Sequence, residues 1–278
     1  RRRALLAVGK VDYGNPEDLI PMEKGIEILG ASSDHTIVDV QDAERDFKVG
    51  DIMTFDICYA TIVYLTNCRN VHIAVGLVFI GVGKKGSVKI SKYNVNPCYP
   101  RLLINLNHFK NNVEKTIDRC KQCNVEITGV IKGVNGLPEV TETYISGGVK
   151  SIGTSRLEQF EGIRERHPDI SLMLIRTPML SEIEDVVRLT DISLNTEIQV
   201  IRALDEEAKR QGKIHQVLLM IDVGDLREGF FDEEELISAC VMAESQLDNI
   251  YLAGLGTNVG CYGAIEPTVE TLEKLAAA

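Results

Sequence analysis

Four short stretches carry residues whose type and spacing could do chemistry. The first is Gly129-Val130-Ile131-Lys132-Gly133-Val134-Asn135-Gly136, a lysine directly after an apolar run and followed by small residues. An amine at a strand exit suits a Schiff base or proton transfer. The same pattern also describes a surface lysine at the start of a loop. The second stretch, Asp222-Val223-Gly224-Asp225-Leu226-Arg227-Glu228-Gly229, packs Asp222, Asp225, Arg227 and Glu228 behind the apolar run Leu218–Ile221. Arg227 can fork onto a carboxylate with two parallel N–H donors. A solvated loop with internal ion pairs fits it equally well. In the third, Gly254-Leu255-Gly256-Thr257-Asn258-Val259-Gly260-Cys261-Tyr262-Gly263, repeated glycines let backbone approach a ligand closely. It lacks the full G-x-G-x-x-G of a dinucleotide loop, so NAD is discounted. The fourth, Leu174-Ile175-Arg176-Thr177-Pro178, adds a second arginine at a strand end. Two arginines and a lysine in an acidic protein point to an anionic ligand bearing carboxylate or phosphate.

These stretches need a scaffold that brings strand ends to one side. From Tyr99 onward, strand-like stretches are 101–106, 125–131, 151–153, 170–175, 192–194, 216–223 and 250–254. Helical stretches begin near Asn107, Pro138, Ser155, Ser181, Thr196, Asp232 and Thr268. Ser155 and Ser181 stand three residues before Glu158 and Glu184, the spacing of a capping box. Strict alternation with short loops implies a parallel sheet covered by helices. The expected fold class is α/β, an incomplete (β/α)8 TIM-type barrel, with reactive groups at the C-terminal strand ends. The first 73 residues differ: short apolar runs, including Asp51–Tyr64, punctuated by Tyr13-Gly14-Asn15-Pro16 and Lys48-Val49-Gly50-Asp51, read as a small β-rich domain. Residues 74–98 are either a strand pair turning at Gly83-Lys84-Lys85-Gly86 or a linker ending at Asn96-Pro97. The barrel domain is expected over 99–278.

Composition narrows the function classes. Among 278 residues, 30 Lys and Arg face 41 Asp and Glu, for a net charge of −11. Such a balance argues against duplex DNA or an anionic membrane as the main partner, and no apolar run reaches membrane-spanning length. Seven cysteines in a chain of this size argue for a reducing cytoplasm rather than a disulfide scaffold. Cys120-Lys121-Gln122-Cys123 has no second pair to complete a zinc site, and His35, His72, His108, His167 and His215 form no spaced ligand set. The run Asp232–Glu235 opens a helix, where negative charge suits the dipole. The chain starts Arg1-Arg2-Arg3 without Met and stops at Ala276-Ala277-Ala278 inside a helical stretch, and it reads as a fragment.

From Tyr99-Pro100-Arg101 to Leu275 the chain resembles the N-terminal barrel of the fold-type III pyridoxal-phosphate amino-acid racemases. Within the alanine racemase family it is most similar to the ornithine racemase-like branch. The resemblance implies pyridoxal 5'-phosphate as cofactor, joined to Lys132 as an internal aldimine. It implies that Arg227, with Arg176, binds the carboxylate of a small amino-acid substrate. It also implies that Gly256, Thr257 and Asn258 sit against the cofactor, Asn258 standing where alanine racemases have a histidine. Met220 stands where many alanine racemases carry a carbamylated lysine.

Residues 1–73 resemble the same family's C-terminal β domain through Gly30–Asp39 and Lys48–Asp51, so the family's order of domains is reversed. A circular permutation or the tail of one copy read into the head of another gives that order, and the family's eighth strand with its phosphate loop is missing. Within this stretch Ser33 and Asp34 are implied in substrate binding. Lys10 falls near the family's second base, with Tyr13 or Cys261 as alternatives. A head-to-tail homodimer is the implied assembly. A cofactor carrier without turnover, or an inactive fragment, remains the alternative reading.

Overall fold

The structure, a computed structural model, describes residues 2–76, 79–82, 88–90, 99–259 and 266–277. The chain divides into two compact units, 1–127 with 131–149, and 128–130 with 150–278.

In the first unit, β1 (Arg3–Leu6) leads to the single-turn helix α1 (Lys10–Tyr13), followed by β2 (Leu19–Pro21), β3 (Glu27–Ala31), β4 (Thr36–Asp39) and β5 (Phe55–Ile57). β4 lies between β1 and β3 in an antiparallel three-stranded sheet, and β2 pairs with β5. The small core is Tyr13, Leu19, Leu65, Val71 and Leu102. Gly14 turns the chain after α1 at φ +87°, a conformation that favours glycine.

The apolar run read as a strand to Tyr64 is instead a helix, α2 (Tyr59–Asn67). Its residues Thr61-Ile62-Val63-Tyr64 are good strand formers. The buried positions Thr61 and Leu65, however, recur at a spacing of four, and one helix face covers the core. Packing has overridden local preference.

Next come β6 (His72–Gly76), β7 (Phe79–Val82), β8 (Val88–Ile90), β9 (Arg101–Asn105) and α3 (Leu106–Lys121). β7 and β8 form an antiparallel pair, the strand-pair alternative for this region. The turn at Gly83–Gly86 lies outside the described residues. The stretch at 101–106, expected as the first barrel strand, is β9, and its described partner is β6, in parallel register from His72 opposite Arg101 to Gly76 opposite Asn105. α4 (Pro138–Ser146) completes this unit, with proline at its first turn, where a missing N–H costs nothing.

The second unit carries β10 (Thr128–Val130), β11 (Ser151–Thr154), β12 (Ser171–Leu174), β13 (Ile192–Asn195), β14 (His215–Met220) and β15 (Ile250–Gly256). They form one parallel sheet in sequential order. The connecting helices are α5 (Ile163–Arg166), α6 (Ile183–Leu189), α7 (Ile198–Gln211) and α8 (Glu233–Ser245), and α9 (Val269–Ala277) follows β15. This is the expected α/β architecture of an incomplete TIM-type barrel. α7 buries Val200, Ile201, Leu204 and Ala208, one stripe at helical spacing, each large side chain contributing about 1.5–3 kcal/mol. Asp232 caps α8 by accepting from Glu235 N at 2.9 Å. Ser155 and Ser181 do not cap. The turn after Ser155 starts beyond Arg156, Ser181 lies inside the turn Leu180–Glu182, and α6 starts after Glu182.

Candidate active site

In the first unit, Lys132 opens a 3-10 turn (Lys132–Val134) two residues beyond the end of β10. Val134 N and Gly136 N both donate to Ile131 O, at 3.2 and 3.1 Å, and Asn135 adopts the left-handed conformation at φ +50°. The turn is therefore tight and fixes the lysine backbone. The side chain of Lys132 is half-buried, and its ammonium has no hydrogen bond or ion pair among the described residues. Gly133 lies close beside it: a Cβ there would lie 2.4 Å from Cε2 of Tyr59 and 3.0 Å from its hydroxyl oxygen. Tyr59 thus seats its ring on the lysine turn. Burial raises the Tyr144 hydroxyl pKa, and the nearby Tyr59 adds to the effect. Phe109 packs edge-on against Tyr144, with ring centroids 4.7 Å apart. Sequence reasoning missed Tyr59 because it placed that residue in a strand.

The same unit joins Lys10 to the Ser32–Asp34 turn. Lys10 N and Val11 N donate to Ser32 O and Ser33 O at 3.0 and 3.1 Å. A Cβ on Gly9 would strike Ser33 O at 2.2 Å, so glycine permits the approach. Ser33 Oγ donates to Asp34 at 2.6 Å. Asp34 lines a cleft of about 470 Å³ with Asp12, Arg69, Asn70 and His72. Lys10 itself is exposed.

Tyr13, an alternative second base, lies in the core at 1% exposure. Thr36 Oγ1 gives its hydrogen to Val8 O at 2.7 Å, so the Tyr13 hydroxyl, 2.5 Å from that oxygen, is the donor in their bond. Burial raises its pKa. Tyr13 is a structural lock. Cys261 lies outside the described residues.

In the second unit, the exits of β14 and β15 are tied together. Thr257 Oγ1 donates to Ile221 O at 2.7 Å and Ile221 N to Gly256 O at 2.8 Å. Glu228 receives both Arg227 and the Asn258 amide. Four of the sequence-derived candidates, Arg227, Gly256, Thr257 and Asn258, therefore belong to one cluster. Its hub is Glu228, which sequence showed only as one charge among several. Opposite Val217 and Leu218, the β15 register skips Ala253, a bulge with Gly254 at φ +145° that re-aims this strand exit.

Arg176 stands elsewhere in the network. Its Nε donates to Ser155 O at 2.7 Å, one terminal nitrogen donates to Thr177 O at 3.1 Å, and both terminal nitrogens reach Glu182. Burial works to raise the Glu182 carboxyl, but Arg176 outweighs it and holds the group below its ordinary pKa. With most of its donors used this way, Arg176 clamps the loop after β12.

Residues 104–278 match the model of the alanine racemase N-terminal domain. The chain belongs to that family. It is 33% identical over 177 residues to an ornithine racemase of Acetoanaerobium sticklandii, covering 64% of this chain and 49% of that protein. It is 36% identical over 179 residues to a lysine racemase of Thermotoga maritima, with the same shares. The chain spans about half the length of the curated relatives it matches. Among solved structures, alanine racemase from Streptomyces coelicolor A3(2) superposes at a TM-score of 0.53 with 18% identity, covering 62% of this chain and 48% of that one. Alanine racemase from Clostridium difficile 630 in complex with cycloserine superposes at 0.51 with 22% identity, covering 61% and 46%.

Lys132 and the β14 and β15 exits all lie inside the segment matched to the alanine racemase N-terminal domain. The β14 exit is held by close backbone crossing. A Cβ on Gly229, at φ +130°, would stand 2.3 Å from Asp222 N. Gly229→Ala is therefore expected to destabilise the fold by roughly 1–3 kcal/mol, measured as a lowered urea midpoint at unchanged slope. Among the described residues, no group of three His, Cys, Asp or Glu is placed to hold a metal ion. No helix among them is long and apolar enough to cross a membrane.

Proposed function

We propose that this chain is, or forms part of, a pyridoxal 5'-phosphate-dependent amino-acid racemase acting on a basic amino acid such as ornithine or lysine. The observation that carries the reading is Lys132. It is a half-buried amine with no partner among the described residues, fixed by a tight turn just past the end of a parallel strand, inside the segment shared with two racemases. An amine so placed fits a cofactor aldehyde, since no ion pair has to be broken to free its nitrogen.

In this reading Lys132 holds the cofactor and moves the proton on one face of the substrate Cα. The cofactor, when bound, supplies the sink for the electrons left behind by that proton. Arg227 takes the substrate carboxylate, held in place by Glu228, and Gly256, Thr257 and Asn258 line the cofactor. Lys10, at the start of α1 and bonded through its backbone to the turn that carries Ser33 and Asp34, serves the opposite face of Cα. A head-to-tail pair of chains in a reducing cytoplasm is the setting we assign. The free thiols at Cys58, Cys68, Cys120, Cys123 and Cys240 accord with that setting.

The test is α-proton exchange in deuterated water with added cofactor, across ornithine, lysine and alanine. Exchange on the basic amino acids, together with a pyridoxyl group fixed at Lys132 by borohydride, is the expected result. Cofactor binding without exchange on any of them would instead make the chain a carrier.

A further inference from the structure

Two buried side chains in the second unit leave acceptor oxygens without a donor. Asp225 is 2% exposed, and neither of its carboxylate oxygens meets a hydrogen-bond partner among the described residues. Asn195 is fully buried, and its Oδ1 is likewise unmet. The amide orientation of Asn195 is fixed by chemistry: its nitrogen lies 2.9 Å from Ser193 O, which can only accept, so Oδ1 must face the other way.

One residue ends a strand and the other follows the neighbouring one. Asn195 is the last residue of β13, opposite Leu219 of β14, and Asp225 lies in the loop that follows β14. Here the orphan oxygens are all acceptors, and two of them belong to one carboxyl group. Burying an unpaired carboxylate is strongly unfavourable unless a cation joins it. A primary ammonium has three N–H donors and a positive charge, the complement of this set.

We propose that Asp225 receives the side-chain ammonium of a diamino-acid substrate and so selects basic amino acids. The inference rests on the racemase reading for its substrate and deepens it. Asp225 lies two residues before Arg227, a separation of at most about 7 Å along the chain. One loop therefore carries both the arginine assigned to the substrate carboxylate and the carboxyl group assigned to its terminal amine. Both carboxylate oxygens are covered, so an incoming ammonium must part the loop that carries them. Leu226, next in the loop, sits at φ +56° with its side chain largely exposed.

The experiment compares L-ornithine with L-norvaline, which shares its carbon chain but lacks the terminal amine. Calorimetric binding and α-proton exchange are both measured, on the wild-type chain with cofactor and on Asp225→Asn. Ornithine is expected to bind the wild type roughly tenfold or more tightly than norvaline. In Asp225→Asn that preference should collapse through loss of ornithine affinity alone, norvaline binding staying unchanged. Equal affinities in the wild type, or an unchanged preference in Asp225→Asn, would overturn the assignment. The wild-type comparison decides the matter even where the variant folds poorly. Charge-dependent binding without exchange on any amino acid would sink the racemase reading and leave this site standing. Exchange without discrimination would do the reverse.

Discussion

Lys132→Ala is expected to lower α-proton exchange by roughly 10³-fold or more, the scale of losing a positioned acid–base group, and to remove the visible band of protein-bound cofactor. The lysine side chain makes no hydrogen bond or ion pair among the described residues and is only half-buried. Its removal should therefore leave the urea midpoint within about 0.5 kcal/mol of wild type. That combination, activity lost and fold kept, separates a chemical role from a structural one. Lys132→Arg sharpens the test, because it keeps the charge and much of the length but cannot condense with an aldehyde. It should be as inactive as the alanine variant. Added methylamine should restore part of the exchange in Lys132→Ala and none in Lys132→Arg, where the guanidinium fills the space. A variant that keeps both band and exchange would place the reactive amine elsewhere, with Lys10 the first to examine.

The scaffold behind that lysine was legible from Tyr99 onward because each βα unit is a local event. Apolar strands alternate with amphipathic helices over a few residues, and β11 to β15 fall close to where that pattern puts them. Partner choice is not local. β9 has the right composition for a barrel strand, yet its described pairing is with β6, a segment with no feature that names its partner. α2 was illegible for the opposite reason, since β-branched residues dominate a segment that the core draws into a helix. At the site, Lys132 and Arg227 could be singled out by type and position. Sequence could not reveal that Glu228 gathers Arg227 and Asn258 while Asp225, three residues earlier, receives no donor among the described residues. Carboxylates so close together look alike until their partners are known. Nor could it show that Arg176 is engaged by Glu182, because an arginine at a strand end serves a ligand or a loop equally well.

His215 sets the acid limit of the second unit. The residue opens β14 at 1% exposure, with Nε2 2.9 Å from Ser193 Oγ, and Asn195 donates to the same hydroxyl at 3.0 Å. Burial drives the imidazole pKa down to about 4; Asp191 pulls upward and Lys213 pushes downward with smaller effect. The unfolded chain returns His215 to an ordinary value near 6.5. Above that pH both states are neutral there, and the residue makes stability independent of pH. Below it the unfolded state binds a proton that the folded state refuses. Stability then falls with pH until about 4, where the folded imidazole also titrates. The expected loss between pH 7.5 and pH 4.5 is about 2–3 kcal/mol from this group alone. Carboxylates titrate over part of the same range, so the comparison must be differential. Urea unfolding of wild type and His215→Gln at both pH values isolates the imidazole, since glutamine keeps a polar group near Ser193 without a titrating ring. Wild type should lose about 2–3 kcal/mol more than the variant on acidification. Equal losses would mean that the ring already takes its proton in the folded state.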